Sequence, residues 1–363
     1  MSVTVYDLMR YPSRPPIFVD NEITVSRKPW TREYKDFKHS DVKIWPPTID
    51  AVDRFLGPRL EEPSIAEYIG LQTPAYMLNA FNHEVESEAD VTRDFNQSMV
   101  PCLAAAFSGP TALTSQAHAS SVLPGGPMLW PKSQIPPTGS TSSLMVDYQM
   151  TLRHSSGRNL ELAIMIGEMK RPRVIRREEW LSQRDATTIT SRLQQELRGY
   201  AYEYKCPHVF LFDSSSLVIV QFRAEDRKDI KSQDCIIDCC VIPRELDRAI
   251  ENQCTMQYAL YKLTAAGWKR GATTLDSRFR GSGERVRAQT PLCIGEYRRD
   301  YVWYSGEPTF FDSYNRECSI PVGYKRIFLH RLVEGRNGRQ KPGGFWVWTN
   351  GRNMVDDTLD CFI

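Results

Sequence analysis

Asp147, Glu168 and Lys170 are the residues whose types and spacing could cut a phosphodiester. Glu168 and Lys170 stand at i and i+2 at the end of the apolar run Leu162-Ala-Ile-Met-Ile166, so in an extended strand both point to one face. A carboxylate closing such a run is costly unless something compensates it. A turn centred between Gly157 and Arg158 sets Asp147 directly across the hairpin from Glu168. The two carboxylates then repel unless a divalent cation bridges them. Lys170, one position further along that face, is placed to orient or polarise an attacking water, and a Lewis acid beside an activated water suits a phosphodiester. The tripeptide alone carries no weight, because (Asp/Glu)-x-Lys occurs seven times. The other copies start at Glu33, Asp36, Asp41, Glu203, Asp226 and Asp229, mostly among charged neighbours. Only the copy at Glu168 ends a doubly apolar strand with an Asp opposite. A slip of one residue would turn Asp147 to the other face, and the bland alternative is a cross-strand ion pair closing a sheet edge.

The elements that must position these groups follow from periodicity. Residues 1–75 are proline-rich and weakly periodic, which predicts an irregular N-terminal arm. A helix is predicted from about Glu84 to Phe107, with Val91, Phe95, Met99 and Leu103 as its apolar stripe. Residues 108–143 are rich in Gly, Pro, Ser and Thr and read as a flexible insertion or flap, with Met128–Trp130 as a candidate short strand. Leu144–Arg153 and Leu160–Lys170 read as strands around a turn at His154–Asn159. The second is apolar on both faces, as a central strand should be. A helix over about Thr187–Tyr204 buries Leu193, Leu197, Tyr200 and Tyr204, and His208–Asp213 and Leu217–Phe222 form a hairpin around Ser214–Ser216. After Pro243 a helix is expected over about Glu245–Ala265, leading into an aromatic, basic tail.

Composition bounds the rest. A hydrophobic content of 41% and a charged content of 25% suit a chain that buries a core. The net charge of +2 is unevenly spread: Tyr261–Arg352 holds 17 Lys/Arg against 8 Asp/Glu, leaving 29 against 36 elsewhere. A basic C-terminal third suits a polyanion, or a solvated face with no ligand. The N-terminus lacks the pattern of a secretory signal, and no apolar run approaches the roughly 20 residues that span a bilayer. The chain therefore reads as soluble and intracellular, in nucleus or cytoplasm, with no membrane partner. Nine scattered cysteines without a Cys-x-x-Cys pair argue against a disulfide framework. Cys235, Cys239, Cys240 and Cys254 are the one cluster to test as a zinc site, against buried free thiols. The six histidines form no ligand-spaced pair, Ser214–Ser216 reads as turn chemistry, and the Gly-rich stretches lack the Lys-Ser/Thr of a phosphate loop. Trp303, Trp346 and Trp348, interleaved with Arg298, Arg299, Arg339 and Lys341, are candidates to stack on bases beside phosphate contacts, or to be core.

Asp147 followed by Glu168-Met-Lys170, with a helix before and a helix–strand unit after, resembles the PD-(D/E)XK superfamily of restriction-endonuclease-like nucleases, including fungal proteins that carry this domain. The resemblance covers about Glu84–Phe222. It implies an α/β fold with an αβββαβ core, a mixed central sheet flanked by helices. The implied domains are a 1–75 arm, a 76–250 nuclease-like core with the 108–143 insertion, and a 251–363 C-terminal extension. It implies Mg²⁺ or Mn²⁺ held by Asp147 and Glu168 with the Met169 carbonyl, Lys170 assisting the attacking water, and nucleic acid as partner, DNA before RNA. Many members add a Glu from the first helix; Glu88 matches, with Glu84 one turn earlier as the fallback. Some carry a Gln and a Tyr on the second helix, which Gln195 and Tyr200 match only loosely, being one residue too far apart. With Arg298 and Arg299, Gln195 is the candidate nucleic-acid contact. Val146 stands where the family has its eponymous Pro. Many such nucleases dimerise to cut both strands, so a homodimer is an expectation. Others keep the fold only as a scaffold, so the alternative is a catalytically inactive module binding nucleic acid or protein.

Overall fold

The computed structural model describes residues 4–19, 28–56, 84–104, 106–107, 128–132, 144–153, 161–245, 247, 250–275, 292–294, 297–306, 308–311, 314, 316–318, 325–334, 340–349 and 354–356. Seven strands build the central sheet: β1 (Val42–Trp45), β2 (Met128–Lys132), β3 (Tyr148–Arg153), β4 (Glu161–Met169), β5 (His208–Phe212), β6 (Ser216–Phe222) and β7 (Ile237–Pro243). They lie in the order β1-β7-β6-β5-β4-β3-β2. The pairs β4/β5 and β1/β7 are parallel and the rest antiparallel, so the sheet is mixed. The candidate strand at Met128–Trp130 is thus present as β2, and the proline-rich segment before residue 75 supplies β1. The remainder of 108–143 and the turn at 154–160 lie outside the described residues.

Helices cover both faces. On one side lie α1 (Val5–Arg10), α2 (Ile49–Leu56), α3 (Glu88–Ser98) and α5 (Met256–Leu275), whose apolar residues share one core with Ile164, Met165, Phe210 and Phe212. On the other lies α4 (Thr188–Glu203), whose Leu193, Leu197 and Tyr200 pack with Ala163, Ile166, Leu211 and Val220 in a second core. The buried Val91, Phe95, Met99 and Leu103 bear out the predicted stripe.

Two helix starts differ from the sequence expectation, for physical reasons, and the last helix runs past the expected Ala265 to Leu275. The helix expected from Glu84 begins at Glu88, because Ser87 and Asp90 form a reciprocal cap: Ser87 Oγ accepts from Asp90 N–H and Asp90 Oδ2 from Ser87 N–H. Glu84 and Val85 instead pair in parallel with Ile17 and Phe18. The helix expected from Glu245 begins at Met256. Before it, Cys254 N–H donates to Pro47 O, and Asn252 O accepts from Ile49 N–H. Backbone groups committed to the segment before α2 cannot close helical turns; Thr255 Oγ1, which accepts from Tyr258 N–H, then caps α5. Gly267 lets α5 lie on β4, since a Cβ there would fall 2.0 Å from Ile164 O.

The C-terminal basic segment contributes a four-stranded and a three-stranded antiparallel sheet. Arg298 and Arg299 lie on Tyr297–Tyr301 in the first, and Trp346 and Trp348 on Gln340–Thr349 in the second. Trp303 is buried in the second core with the Arg270 guanidinium 5.5 Å from its ring centre, a packing role rather than a base platform. Among the described residues no helix is long and apolar enough to cross a membrane.

Candidate active site

The site sits where β3 begins and β4 ends. Tyr148 pairs with Gly167, Gln149 with Ile166 and Met150 with Met165, the register that puts Asp147 opposite Glu168. A bulge then shifts the ladder, so Thr151 meets Ala163 and Ile164 has no opposite number. Asp147, one residue before β3, is fixed by its Oδ2, which accepts the Met169 N–H at 2.7 Å. Val146 has a reason to stand where the resembled family has Pro: its N–H donates to Tyr204 Oη at 3.1 Å, a bond that proline cannot make.

Glu88, in the first turn of α3, brings its carboxyl to the same point. One carboxylate oxygen each from Glu88, Asp147 and Glu168 lies within 4.8 Å of the other two. Glu168 is 2% exposed and asymmetric. Its Oε1 accepts from Lys170 Nζ at 2.6 Å and from Lys28 Nζ, while its buried Oε2 accepts no hydrogen bond among the described residues. Behind it, Glu196 on α4 pairs with Lys170 at 3.0 Å and Lys28 at 3.4 Å, and Tyr200 Oη accepts from Lys28 at 2.6 Å.

These neighbours set the protonation states. Burial alone would raise the Glu168 carboxyl, but the ammoniums of Lys170 and Lys28 hold it below its ordinary range. Burial alone would lower Lys170, yet Glu168 and Glu196 raise it, so it stays cationic. Asp147 is pushed up to about 7, first by burial and then by repulsion from Glu168. Glu88 is exposed over much of its side chain, but loss of solvent at its carboxyl end, with repulsion from Glu168, raises it too.

Asp147 makes this testable through stability. At low pH its carboxyl is protonated in both folded and unfolded chains and has no effect. As pH rises from about 4 toward 7 the unfolded chain releases the proton and the folded chain retains it, so stability is lost, fully so above about 7. Asp147→Asn in EDTA should therefore melt higher than wild type at pH 8, the difference shrinking to nothing near pH 4. An equal difference at both pH values would refute a raised Asp147.

The other sequence candidates sort cleanly. Gln195 is half-buried and off the cluster; Glu196, not Gln195, shares the inward face with Tyr200 one turn on, because i and i+4 align on a helix and i and i+5 do not. Glu84 is exposed on its short strand and does not enter the acidic group. The side chains of Arg298 and Arg299 lie outside the described residues. Cys235, Cys239, Cys240 and Cys254 are buried free thiols, with Cys239 pushed up to about 12 by burial, which opposes the thiolate that zinc requires. Asp213 Oδ1 accepts from the N–H groups of Ser215 and Ser216, and Ser214 takes a positive φ of 64°, as a turn demands. Sequence reading missed Lys28 and Glu196; the signal for Glu196 was a carboxylate flanked by Leu193, Leu197 and Tyr200 on a face that otherwise buries. In comparisons with known proteins, no family model, no curated protein and no solved structure matches this chain.

Proposed function

We propose that the chain is a divalent-ion-dependent nuclease built on a restriction-endonuclease-like core. The order α3, β2, β3, β4, α4, β5 supports that core, being αβββαβ. One observation carries the function: Glu88, Asp147 and Glu168 converge within 4.8 Å beside the buried, cationic Lys170. The donor set suits Mg²⁺ or Mn²⁺. All three donors are hard carboxylate oxygens, and Glu168 Oε2 is a buried acceptor to which none of the described residues donates. The Met169 carbonyl is the further ligand that the family resemblance implies. When bound, the ion supplies Lewis acidity at the scissile phosphate. The chain's own groups do the rest: the Met169 N–H holds Asp147 in place, Glu196 and Glu168 hold Lys170, and the Lys170 ammonium orients the attacking water and stabilises charge on the phosphate.

A second reading has one observation in its favour. Lys28 of the arm already seats an ammonium on Glu168, which suits a catalytically inactive module whose cation site is filled by the protein itself. Purified protein incubated with single- and double-stranded DNA and RNA, in Mg²⁺, Mn²⁺ or EDTA, separates the two. Metal-dependent cutting, DNA before RNA, that Glu168→Gln abolishes is the expected result. No cutting of any substrate, with no ion bound by calorimetry, removes the nuclease and leaves the binding module.

A further inference from the structure

Lys28 does not touch the carboxylates by accident of a loose tail. It begins the short helical turn Pro29–Glu33, and that turn is fastened along α4. Trp30 lies in a notch made by Gly199, where a Cβ would fall 2.5 Å from Trp30 Cζ3, and its ring centre is 5.2 Å from that of Tyr200. A glycine inside a helix weakens it relative to alanine, and here it admits the indole. Further along, Tyr34 Oη donates to Glu203 at 2.7 Å, Phe37 N–H to Gln194 at 3.2 Å, and buried Arg198 to Asp36 O at 3.4 Å. The arm is zipped to the helix that carries Glu196 and Tyr200, and Lys28 Nζ is delivered into a cradle of three oxygens: Glu168 Oε1, Glu196 Oε2 and Tyr200 Oη.

With Lys170, the Lys28 ammonium thus occupies the Glu168 and Glu196 oxygens that would otherwise be open to a further cation. Lys28 and Lys170 share the same two carboxylates, Glu168 and Glu196, and removing Lys28 leaves both to Lys170 alone. Resting on the metal-centre reading above, we propose that Lys28 is a built-in second cation, which occupies the Oε1 side of Glu168 and limits the centre to a single divalent ion on the Oε2 side with Asp147 and Glu88. Lys28 is thus a positioning residue, fixing which oxygen of Glu168 is free.

The test is calorimetric titration of Mn²⁺ into the full chain without nucleic acid, at pH 8, with melting curves confirming that each variant folds. One ion per chain is expected for wild type and for Lys28→Arg, which keeps the charge. Two are expected for Lys28→Met. Trp30→Ala, which keeps every charge but removes the anchor, should likewise admit a second ion and covers the case in which Lys28→Met does not fold. One ion in every folded variant, or two in wild type, overturns the role of Lys28 while leaving the metal centre intact. No ion in any of them overturns the metal centre and this proposal with it.

Discussion

Lys170→Ala should slow metal-dependent cleavage by about 10²–10³-fold, the loss typical of removing one charge-stabilising donor from an active centre. Nucleic-acid affinity should change little, because the Lys170 ammonium is buried against Glu168 and Glu196 rather than presented at the surface. Lys170 is 5% exposed and its Nζ rests on Glu168 Oε1 and Glu196 Oε2, so the ammonium is oriented before any substrate arrives. A preorganised cation costs no reorganisation when charge develops on the phosphate. Lys28, on the same two carboxylates, keeps them from being left bare, so the variant should fold and its defect should be in turnover rather than KM. Single-turnover rates and filter binding on one substrate check this. Equal losses in rate and binding would make Lys170 an anchor for nucleic acid rather than a participant in the chemistry.

The second large effect lies away from the carboxylates. Asp94→Ala should destabilise the fold by about 3–5 kcal/mol, as breaking a buried ion pair does when one charge is left unpartnered. Arg244 makes a two-pronged bridge to Asp94, Nη1 to Oδ2 at 2.5 Å and Nη2 to Oδ1 at 2.8 Å, and also donates to Ser214 O at 2.9 Å. Asp94 is 0% and Arg244 3% exposed. The bridge ties α3, which carries Glu88, to the β5–β6 turn and the end of β7. Replacing both partners with apolar residues, Asp94→Leu with Arg244→Met, should recover much of the loss. Urea titrations of the single and double variants measure it; additive losses in the double variant would show that the pair is not coupled.

Much of the site was legible because its components are close in sequence and obey simple periods. Asp147, Glu168 and Lys170 share one hairpin, and a period of two is enough to place them. Glu88 was reached through the family resemblance, which calls for a Glu on the first helix, and its helical register with Val91, Phe95 and Met99 chose it over Glu84. The bulge at Ile164 was not legible: nothing in a run of Ala, Ile, Met and Ile marks which residue goes unpaired, and the register near Asp147 comes out right because the shift falls beyond it. Lys28 was beyond reach for another reason. It lies 140 positions from Glu168, in a stretch without periodicity, and only tertiary packing of Trp30 into the Gly199 notch brings it in. The start of α5 was missed because strand-like contacts at 252–254 compete with helix, and the competitor is the remote segment before α2.

The unpaired Ile164 means that the hairpin runs in two phases. Along β3 the alternation is unbroken, Tyr148, Met150 and Leu152 all facing one core; along β4 it is offset by one at the bulge, with Ile164 and Met165 both turned into that core beneath α5. The near half sets Asp147 across from Glu168 and the far half serves packing, and neither must compromise its facing for the other. Because the offset falls beyond Met165, it leaves Asp147 directly across from Glu168 while letting two successive side chains enter the core.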